Sequence, residues 1–326
     1  MATTVELGVA ELAETRFAVS PLSETIAALQ QLGGQDRRAL HLRWFRWASD
    51  ELAARPLDLP RTWPLITGDR PRWPNFLVPA PAGAGTSLDE DLAALRRTTA
   101  RQVRASLQRV FGDDLPPAAA ELAAHPAAGL RAIAAELRTA HDRLIAPHWP
   151  RIRAVLDADV AYRARQLAAG GAARLFADLH PDLHWADGRL TLDGERRRAE
   201  KVVNRGPGGL VLMPVALGSA YVLIKGNTTT QTTVRYPARG VGALWTAGTR
   251  PPSSAVTQLL GPMRAGLLEA LRSPATTTDL ARVFAVTPSA VSQHLRVLRE
   301  TGLVVRERSG RGVLYLTTPL GEALLG

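Results

Sequence analysis

The feature that most constrains the fold is a run of helix and strand signals near the C-terminal end, residues 276–318. Its sequence is TTTDLARVFAVTPSAVSQHLRVLRETGLVVRERSGRGVLYLTT. Thr287 suits the N-cap of a helix, and Pro288 suits its first turn, where the missing N–H of proline costs nothing. Three apolar residues then recur at i, i+4 and i+7: Val291, Leu295 and Leu298. This spacing predicts an amphipathic helix that ends before Gly302.

The polar face of this helix carries side chains of the kind that reads the edges of DNA bases. At about 100° per residue, the side opposite the apolar stripe holds Ser289, Gln293 and Arg296, with Ser292 on its flank. Short donors and acceptors together with an arginine are typical of base contacts. Taken alone, the pattern fits an ordinary amphipathic surface helix equally well, so the neighbouring segments decide between the two interpretations.

Those neighbours complete a helix-turn-helix followed by a hairpin. Thr276 and Asp279 have the spacing of a capping box, with Asp in place of the usual Glu, and begin a short helix that the segment AVT joins to the next. Downstream, residues 304–307 and 313–317 are rich in β-forming residues and flank the sequence RSGR. A hairpin there places three arginines on or near a projecting tip that contacts phosphate: Arg306, Arg308 and Arg311. The order of elements predicts a winged helix-turn-helix, which places one helix in the DNA major groove.

Residues of about 255–324 resemble the ArsR-type winged-helix repressors. The resemblance rests on TTTDLARVFAVTPSAVSQHLRVLRETGLV and on the wing sequence RERSGRGVLYLT. It implies binding of double-stranded DNA as a homodimer, and repression that an effector relieves. The residues that it implies for the groove, together with the capping threonine, are Thr287, Ser289, Ser292, Gln293 and Arg296. Founding members sense metals through cysteines near the first helix of the motif, and the absence of cysteine here excludes metal sensing by thiolate.

Length and composition indicate a folded protein with room for two or three domains. The chain has 326 residues, of which 46% are hydrophobic, and no cysteine, which fits a cytoplasmic protein without disulfides. The net charge of +10 suggests a polyanionic partner. Because 38 of the 40 basic residues are arginine, a GC-rich genome also explains the excess, and residues 251–326 carry a net charge of only +3. The longest uncharged run, residues 209–224, is shorter than the ~20 residues of a membrane helix, so no membrane association is expected.

Before residue 250 the sequence predicts helices and a small sheet, which makes the fold class α+β and mostly helical. The predicted domains are 1–250, for sensing or dimerisation, and 251–326, the winged helix-turn-helix, with Pro251-Pro252 at the junction. Short strands between about residues 183 and 237 predict an antiparallel sheet, with a hairpin at Asp187-Gly188. The region resembles, more faintly, the sensor regions of some ArsR-type regulators, on RFAVSPLSETIAAL, LHWADGRL and VRYPARGVGALW. Helices are expected after Ser20, over 36–54, from Ser87 to about Phe111, and at about 116–124, 127–146, 150–168 and 254–271.

A ligand pocket in the first domain requires aromatic and apolar lining. Residues 55–86 are rich in Pro and Gly and predict a long loop of the kind that forms lids and binding elements. The tryptophans expected to line a pocket for a small, non-metal effector are Trp63, Trp73 and Trp185. Core packing is the alternative use of each.

Motifs for catalysis, cofactors or metals are missing from the sequence. Asp178, His180, Asp182 and His184 alternate and would share one face of a strand, but Pro181 interrupts them, which favours ordinary polarity at the entry to a strand over a metal site. The sequence RGPGG precedes a strand, whereas a phosphate-binding loop precedes a helix. We therefore expect no cofactor, no metal and no enzymatic activity. Two alternatives stay open: a protein-interaction module, and an enzyme that dimerises through the winged helix.

Overall fold

The structure is a computed structural model of the chain. It describes residues 3–34, 41–67, 73–193, 201–202, 208–219, 221–226, 231–241, 244, 253–272, 275–284, 286–309 and 312–325. Among these residues, no helix has both the length and the apolar character required to cross a membrane.

The described helices confirm that the chain is mostly helical. Numbered along the chain, they are α1 (Val9–Ala13), α2 (Pro21–Leu32), α3 (Leu42–Ala54), α4 (Trp63–Ile66), α5 (Leu88–Arg96), α6 (Ala100–Phe111), α7 (Pro117–Ala124), α8 (Pro126–Leu144), α9 (Trp149–Ala177), α10 (Ser254–Leu260), α11 (Pro262–Ala270), α12 (Thr277–Val283), α13 (Pro288–Glu300) and α14 (Pro319–Leu325). Short 3₁₀ turns lie at Asn75–Leu77 and Ala146–His148.

The strands are short, as expected for a small α+β sheet. They are β1 (Thr3–Glu6), β2 (Arg16–Phe17), β3 (Leu183–Ala186), β4 (Arg189–Leu192), β5 (Lys201–Val202), β6 (Val211–Val215), β7 (Leu223–Lys225), β8 (Thr233–Pro237), β9 (Val304–Ser309) and β10 (Gly312–Thr317).

Grouped by their tertiary contacts, the residues form two compact units. The N-terminal unit comprises Met1–Asp36 and Arg55–Arg239, and the C-terminal unit comprises Arg37–Ala54 and Gly240–Gly326. The second unit therefore includes helix α3, which precedes most of the first unit in sequence. The division at residue 250 stays a prediction.

Two four-stranded sheets occupy the N-terminal unit, and the prediction of one antiparallel sheet was wrong. One sheet has the order β3-β4-β1-β5, and the other has the order β2-β6-β8-β7. Strand β6 pairs in parallel with both β2 and β8, and all five of its residues are buried. A continuous apolar run is typical of a strand covered on both faces, where parallel pairing occurs. Strands adjacent in sequence, β6 and β7, are separated in the sheet by β8.

The hairpin predicted at Asp187-Gly188 is confirmed. Strands β3 and β4 pair antiparallel with Ala186 opposite Arg189, which leaves a two-residue turn. Asp187 and Gly188 both have positive φ, 49° and 72°, as a tight hairpin turn requires.

Local capping signals place several helix starts correctly. Ser20 accepts the Ser23 N–H at the start of α2, and the predicted capping box of Ser87 and Glu90 begins α5. The helix expected to continue to Phe111 instead breaks after Arg96, because Thr99 caps a second helix, α6, through its own box with Gln102. Two helices therefore form where one was predicted. The high helix propensity of these residues did not indicate the break.

Candidate nucleic-acid interface

Helix α13 begins and ends through local backbone chemistry that the sequence predicts. The Thr287 side-chain oxygen accepts the Ala290 N–H at 3.2 Å, and Pro288 occupies the first turn. After the last turn, Gly302 has a φ of 72°, and the Leu303 N–H donates to the Leu298 carbonyl at 2.9 Å. The cap and the left-handed glycine fix the length of the helix and the direction in which the chain leaves it.

The apolar stripe of α13 is buried, and the opposite face is exposed. Three residues pack in the core of the C-terminal unit with α11 and α12, all with an exposure of 1% or less: Val291, Leu295 and Leu298. The side chains predicted to contact DNA from the helix are all exposed: Thr287, Ser289, Ser292, Gln293 and Arg296. The core anchors one side of the helix, so the polar side chains project together from the other.

The helix before α13 is capped by the predicted pairing. The Thr276 side-chain oxygen accepts the Asp279 N–H at 3.1 Å, while the Asp279 carboxylate accepts the Thr276 N–H at 3.3 Å. The residue after this helix, Phe284, packs closely against α11, since a Cβ on Gly266 would lie 2.9 Å from its ring. The turn to α13 is closed by the Val286 N–H, which donates to the Ala281 carbonyl at 3.0 Å.

A two-stranded hairpin follows α13, as predicted. Strands β9 and β10 pair antiparallel, with Ser309 opposite Gly312. Its base is fixed to the helical core, because Ala275 and Tyr315 exchange backbone hydrogen bonds of 3.0 and 3.1 Å. The side chain of Arg306 is exposed on β9. Arg308 lies on β9 opposite Val313, with its side chain outside the described residues, and Arg311 lies outside them altogether.

The three tryptophans proposed for an effector pocket make different contacts in the N-terminal unit. Trp63, at the start of α4, is half-buried. Trp73 stacks on the guanidinium of Arg235, 5.3 Å from the ring centroid. Trp185 packs on Phe176 at the edge of the core, with ring centroids 5.1 Å apart. None of the three lines the cavity beside Arg61 on the helical side of the unit or the one beside Arg235.

The alternating Asp and His residues do not form one cluster. Asp178 ends α9 and pairs with Arg163, and His184 pairs with Asp193 at 3.1 Å. His180 lies 3.8 Å from Asp182. The part of the chain that the structure describes contains no group of three or more such residues arranged to hold a metal ion.

Buried charges in the N-terminal unit form a second polar centre, which the sequence analysis did not select. Glu24 on α2 is fully buried, and burial raises its pKa to about 7, against hydrogen bonds from the Ala216 and Leu217 amides. Arg235 on β8 is also buried, and loss of hydration lowers its pKa to about 10. A sequence signal exists in hindsight: an arginine inside the apolar strand TVRYP requires a buried partner.

Comparisons with known proteins match the C-terminal unit. A family model described as a helix-turn-helix domain matches residues 259–307. The HTH-type transcriptional regulator NmtR of Mycobacterium tuberculosis (strain ATCC 25618 / H37Rv) is 45% identical over 64 residues, which cover 19% of this chain and 53% of NmtR. The chain thus spans about half the length of this curated relative. A solved structure, "Crystal structure of Possible transcriptional regulator for arsenical resistance", is 42% identical, over 22% of this chain and 73% of that one, with a TM-score of 0.20.

Proposed function

We propose that the protein is a sequence-specific DNA-binding regulator whose C-terminal module is of the ArsR type, a proposal supported by the match of this module to a helix-turn-helix domain and to the transcriptional regulator NmtR. The observation that carries the proposal is the exposed polar face of α13, supported from behind by its buried apolar stripe. A helix anchored on one side and polar on the other is the form in which helix-turn-helix proteins present side chains to a major groove.

Each part of the module has a separate role in binding. Arg296 and Gln293 are long enough to form paired hydrogen bonds with base edges, and Ser289 and Ser292 supply shorter contacts. The hairpin acts as the wing, where Arg306, with Arg308 and Arg311, contacts phosphate and positions the helix without reading sequence. This division predicts that the two groups of side chains affect affinity and specificity differently.

We propose that the protein binds DNA as a homodimer. Two helix-turn-helix modules then read two half-sites of one operator. Two leucines of the C-terminal unit support this, because Leu259 on α10 and Leu320 on α14 are 68% and 60% exposed. Large apolar side chains that remain this exposed in one copy are suited to burial against a second.

In this proposal the protein is a repressor whose N-terminal unit binds a small, non-metal effector. An effector shifts DNA binding only if it binds the DNA-competent and DNA-incompetent states with different affinities. The chain contains no cysteine, so its effector binding does not use thiolate. We propose a cytoplasmic location, in keeping with a regulator of transcription.

The experiment that tests the proposal is fluorescence anisotropy of the full chain on DNA from upstream of its own gene and on random DNA, across a salt series. We expect selective binding whose affinity falls steeply with salt, because phosphate contacts release counterions. Arg296→Ala should reduce the preference for the specific site by about 1–3 kcal/mol. Arg306→Ala should weaken binding to both DNAs equally and reduce the salt slope by about one.

Arg131→Ala is the matched control, since it removes an exposed arginine from α8 in the N-terminal unit. It should leave the selectivity unchanged. Equal losses on specific and random DNA for Arg296→Ala would contradict the groove assignment. Absence of salt-dependent binding to any genomic fragment would instead favour a protein-interaction module.

A further inference from the structure

The N-terminal unit carries a dense group of exposed arginines where α5 ends and α6 begins. Residues 92–112 contain five arginines and no acidic residue, which gives this segment half of the chain's net charge of +10. All five side chains are exposed, and together they form the arginine patch: Arg96, Arg97, Arg101, Arg104 and Arg109. A genome that favours arginine raises its frequency along the whole chain, so it does not explain why acidic residues are missing from this segment.

The acidic residues next to the patch in sequence are engaged elsewhere. The Asp91 carboxylate is buried and accepts the Ser20 and Thr86 hydroxyls, both at 2.7 Å. Asp113 accepts the Gln108 amide at 2.6 Å. Four of the patch arginines make no side-chain ion pair or hydrogen bond within the described part of the chain: Arg96, Arg97, Arg101 and Arg109. Their charges are therefore solvated and not neutralised by neighbouring carboxylates.

Helix α6 presents its arginines on one face because the opposite face is fixed in the core. Val103 and Leu107 are both 0% exposed. Arg101 and Arg104, at positions i and i+3, are neighbours on the outer face. At about 1.5 Å per residue, Arg109 lies about 12 Å along the helix axis from Arg101. The patch is therefore an extended surface and not a pocket.

The extent and charge of the patch fit a regular polyanion. Duplex DNA carries one negative charge per about 1.7 Å of its axis, so a surface about 12 Å long faces several phosphates. Arginine binds phosphate through paired hydrogen bonds as well as through its charge. A small anion, in contrast, engages only one or two of the five guanidinium groups.

Two other anionic surfaces fit the patch less well. A helix that lies on a membrane inserts apolar side chains, whereas Val103 and Leu107 of α6 are buried in the protein. None of the large apolar side chains that are exposed among the described residues lies in residues 92–112. Single-stranded nucleic acid stacks its bases on aromatic rings, and the one aromatic residue of this segment, Phe111, is half-buried. Charge without insertion or stacking favours the backbone of duplex DNA.

We propose that the arginine patch binds the phosphate backbone of duplex DNA and gives the N-terminal unit a sequence-independent share of the affinity. This inference rests on the proposed function, which it extends from the C-terminal module to the N-terminal unit. The exposed face of α13 reads bases, whereas the patch contributes charge alone. The patch also accounts for the position of the net charge, most of which lies outside residues 251–326.

The inference is tested by fluorescence anisotropy of the full chain on random-sequence duplex DNA across a salt series. The double variant Arg97→Ala/Arg101→Ala removes two patch charges and retains Arg104, whose Nε donates to the Ala123 carbonyl at 3.0 Å. We expect the slope of log affinity against log salt to fall by about two, because each lost phosphate contact removes about 0.9. Lysine at both positions retains the charges and should retain the slope.

Arg151→Ala/Arg165→Ala is the matched control, since it removes two exposed arginines from α9 of the same unit. It should leave the slope unchanged. If circular dichroism shows that Arg97→Ala/Arg101→Ala does not fold, Arg96→Ala/Arg109→Ala repeats the test at the two ends of the patch. An equal fall in the control, or an unchanged slope in a folded patch variant, overturns the proposal.

The patch and the regulator function fail separately in this assay. A chain that prefers its own upstream DNA, but whose salt slope does not depend on the patch, retains the proposed function and loses the patch. A chain that binds random duplex through the patch and prefers no site retains the patch and loses the regulator function. Loss of binding to phosphatidylglycerol vesicles in Arg97→Ala/Arg101→Ala, with no change on DNA, overturns the assignment to DNA in favour of a membrane surface.

Discussion

The two units of the chain use polar side chains in opposite ways. In the C-terminal unit, the polar residues of α13 lie within ten positions of one another and are exposed. In the N-terminal unit, the Tyr236 hydroxyl donates to Asp159 across 77 residues of sequence, and Glu24 accepts the Leu217 N–H across 193. An exposed polar face is solvated in the folded chain and costs little, whereas a buried charge persists only if the fold supplies partners.

The difference separates two kinds of evidence for function. An exposed, patterned face is available to a partner from outside, such as the DNA that we propose for α13. Buried charges that are only partly compensated indicate either a structural network or a ligand. The group around Asp159 is structural, because its carboxylate accepts both the Tyr236 hydroxyl, at 2.8 Å, and the Arg239 N–H, at 3.0 Å. Arg163 adds an ion pair with Asp178 at 3.0 Å.

Two ion pairs on α9, one buried and one exposed, allow the cost of a buried charge to be measured within one helix. Arg163→Met breaks the buried pairing with Asp159 and Asp178, and we expect a loss of about 3 kcal/mol or more in the free energy of unfolding. Arg153→Met removes an exposed ion pair with Asp157, at the same i,i+4 spacing on α9, and should cost less than about 0.5 kcal/mol. Urea denaturation followed by circular dichroism measures both. If the two variants lose similar amounts of unfolding free energy, burial does not increase the contribution of the Arg163 ion pairs to stability.

The next effect concerns pH. The pKa of Glu24 is raised to about 7 from an ordinary 4.5. Its contribution to stability is therefore fully present below about pH 4.5 and is lost as the pH rises through 7, when the buried carboxyl must ionise. Glu24→Gln removes this titration.

We expect the unfolding free energy of the wild type, relative to Glu24→Gln, to fall by at most about 3 kcal/mol between pH 4.5 and pH 8. Urea denaturation at both pH values gives the difference, and Glu14→Gln is the control. If the difference in unfolding free energy between the wild type and Glu24→Gln is the same at both pH values, the pKa of Glu24 is not raised.

The smallest effect concerns the C-terminal unit, where the interactions that fix α13 are local. Thr287→Ala removes the N-cap of α13, and we expect a loss of about 1 kcal/mol in stability of the C-terminal unit. Thr287→Ser retains the capping oxygen and should recover most of it. Thermal unfolding of the variants, followed by circular dichroism, measures the change. A serine variant as unstable as the alanine variant would show that the cap is not the cause.

Much of the candidate site was predictable because its determinants are close in sequence. The cap at Thr287, the apolar stripe of Val291, Leu295 and Leu298, and the terminating Gly302 depend on the geometry of one helix. The hairpin at Asp187-Gly188 was predictable for the same reason, since its turn chemistry is contained in two residues.

The pairing of the N-terminal strands was not predictable in this way. Strands β1 and β2 lie near the start of the chain, yet each joins a sheet formed with residues beyond 180. The sequence of a short strand says little about which strand pairs with it. The parallel pairing of β6 with β8 depends on which faces of the sheet the helices cover. The break between α5 and α6 likewise depended on a second cap that competes with helix propensity.

The helix-turn-helix, the exposed face of α13 and the positions of the tight turns follow from local sequence, because backbone geometry and capping act over a few residues. Which charges are buried together depends on tertiary packing. Arg235 meets Ser23, and Glu24 meets the Ala216 and Leu217 amides, through contacts between a helix and a sheet that are about 200 residues apart. Long-range pairing depends on the packing of whole elements, which no local pattern records.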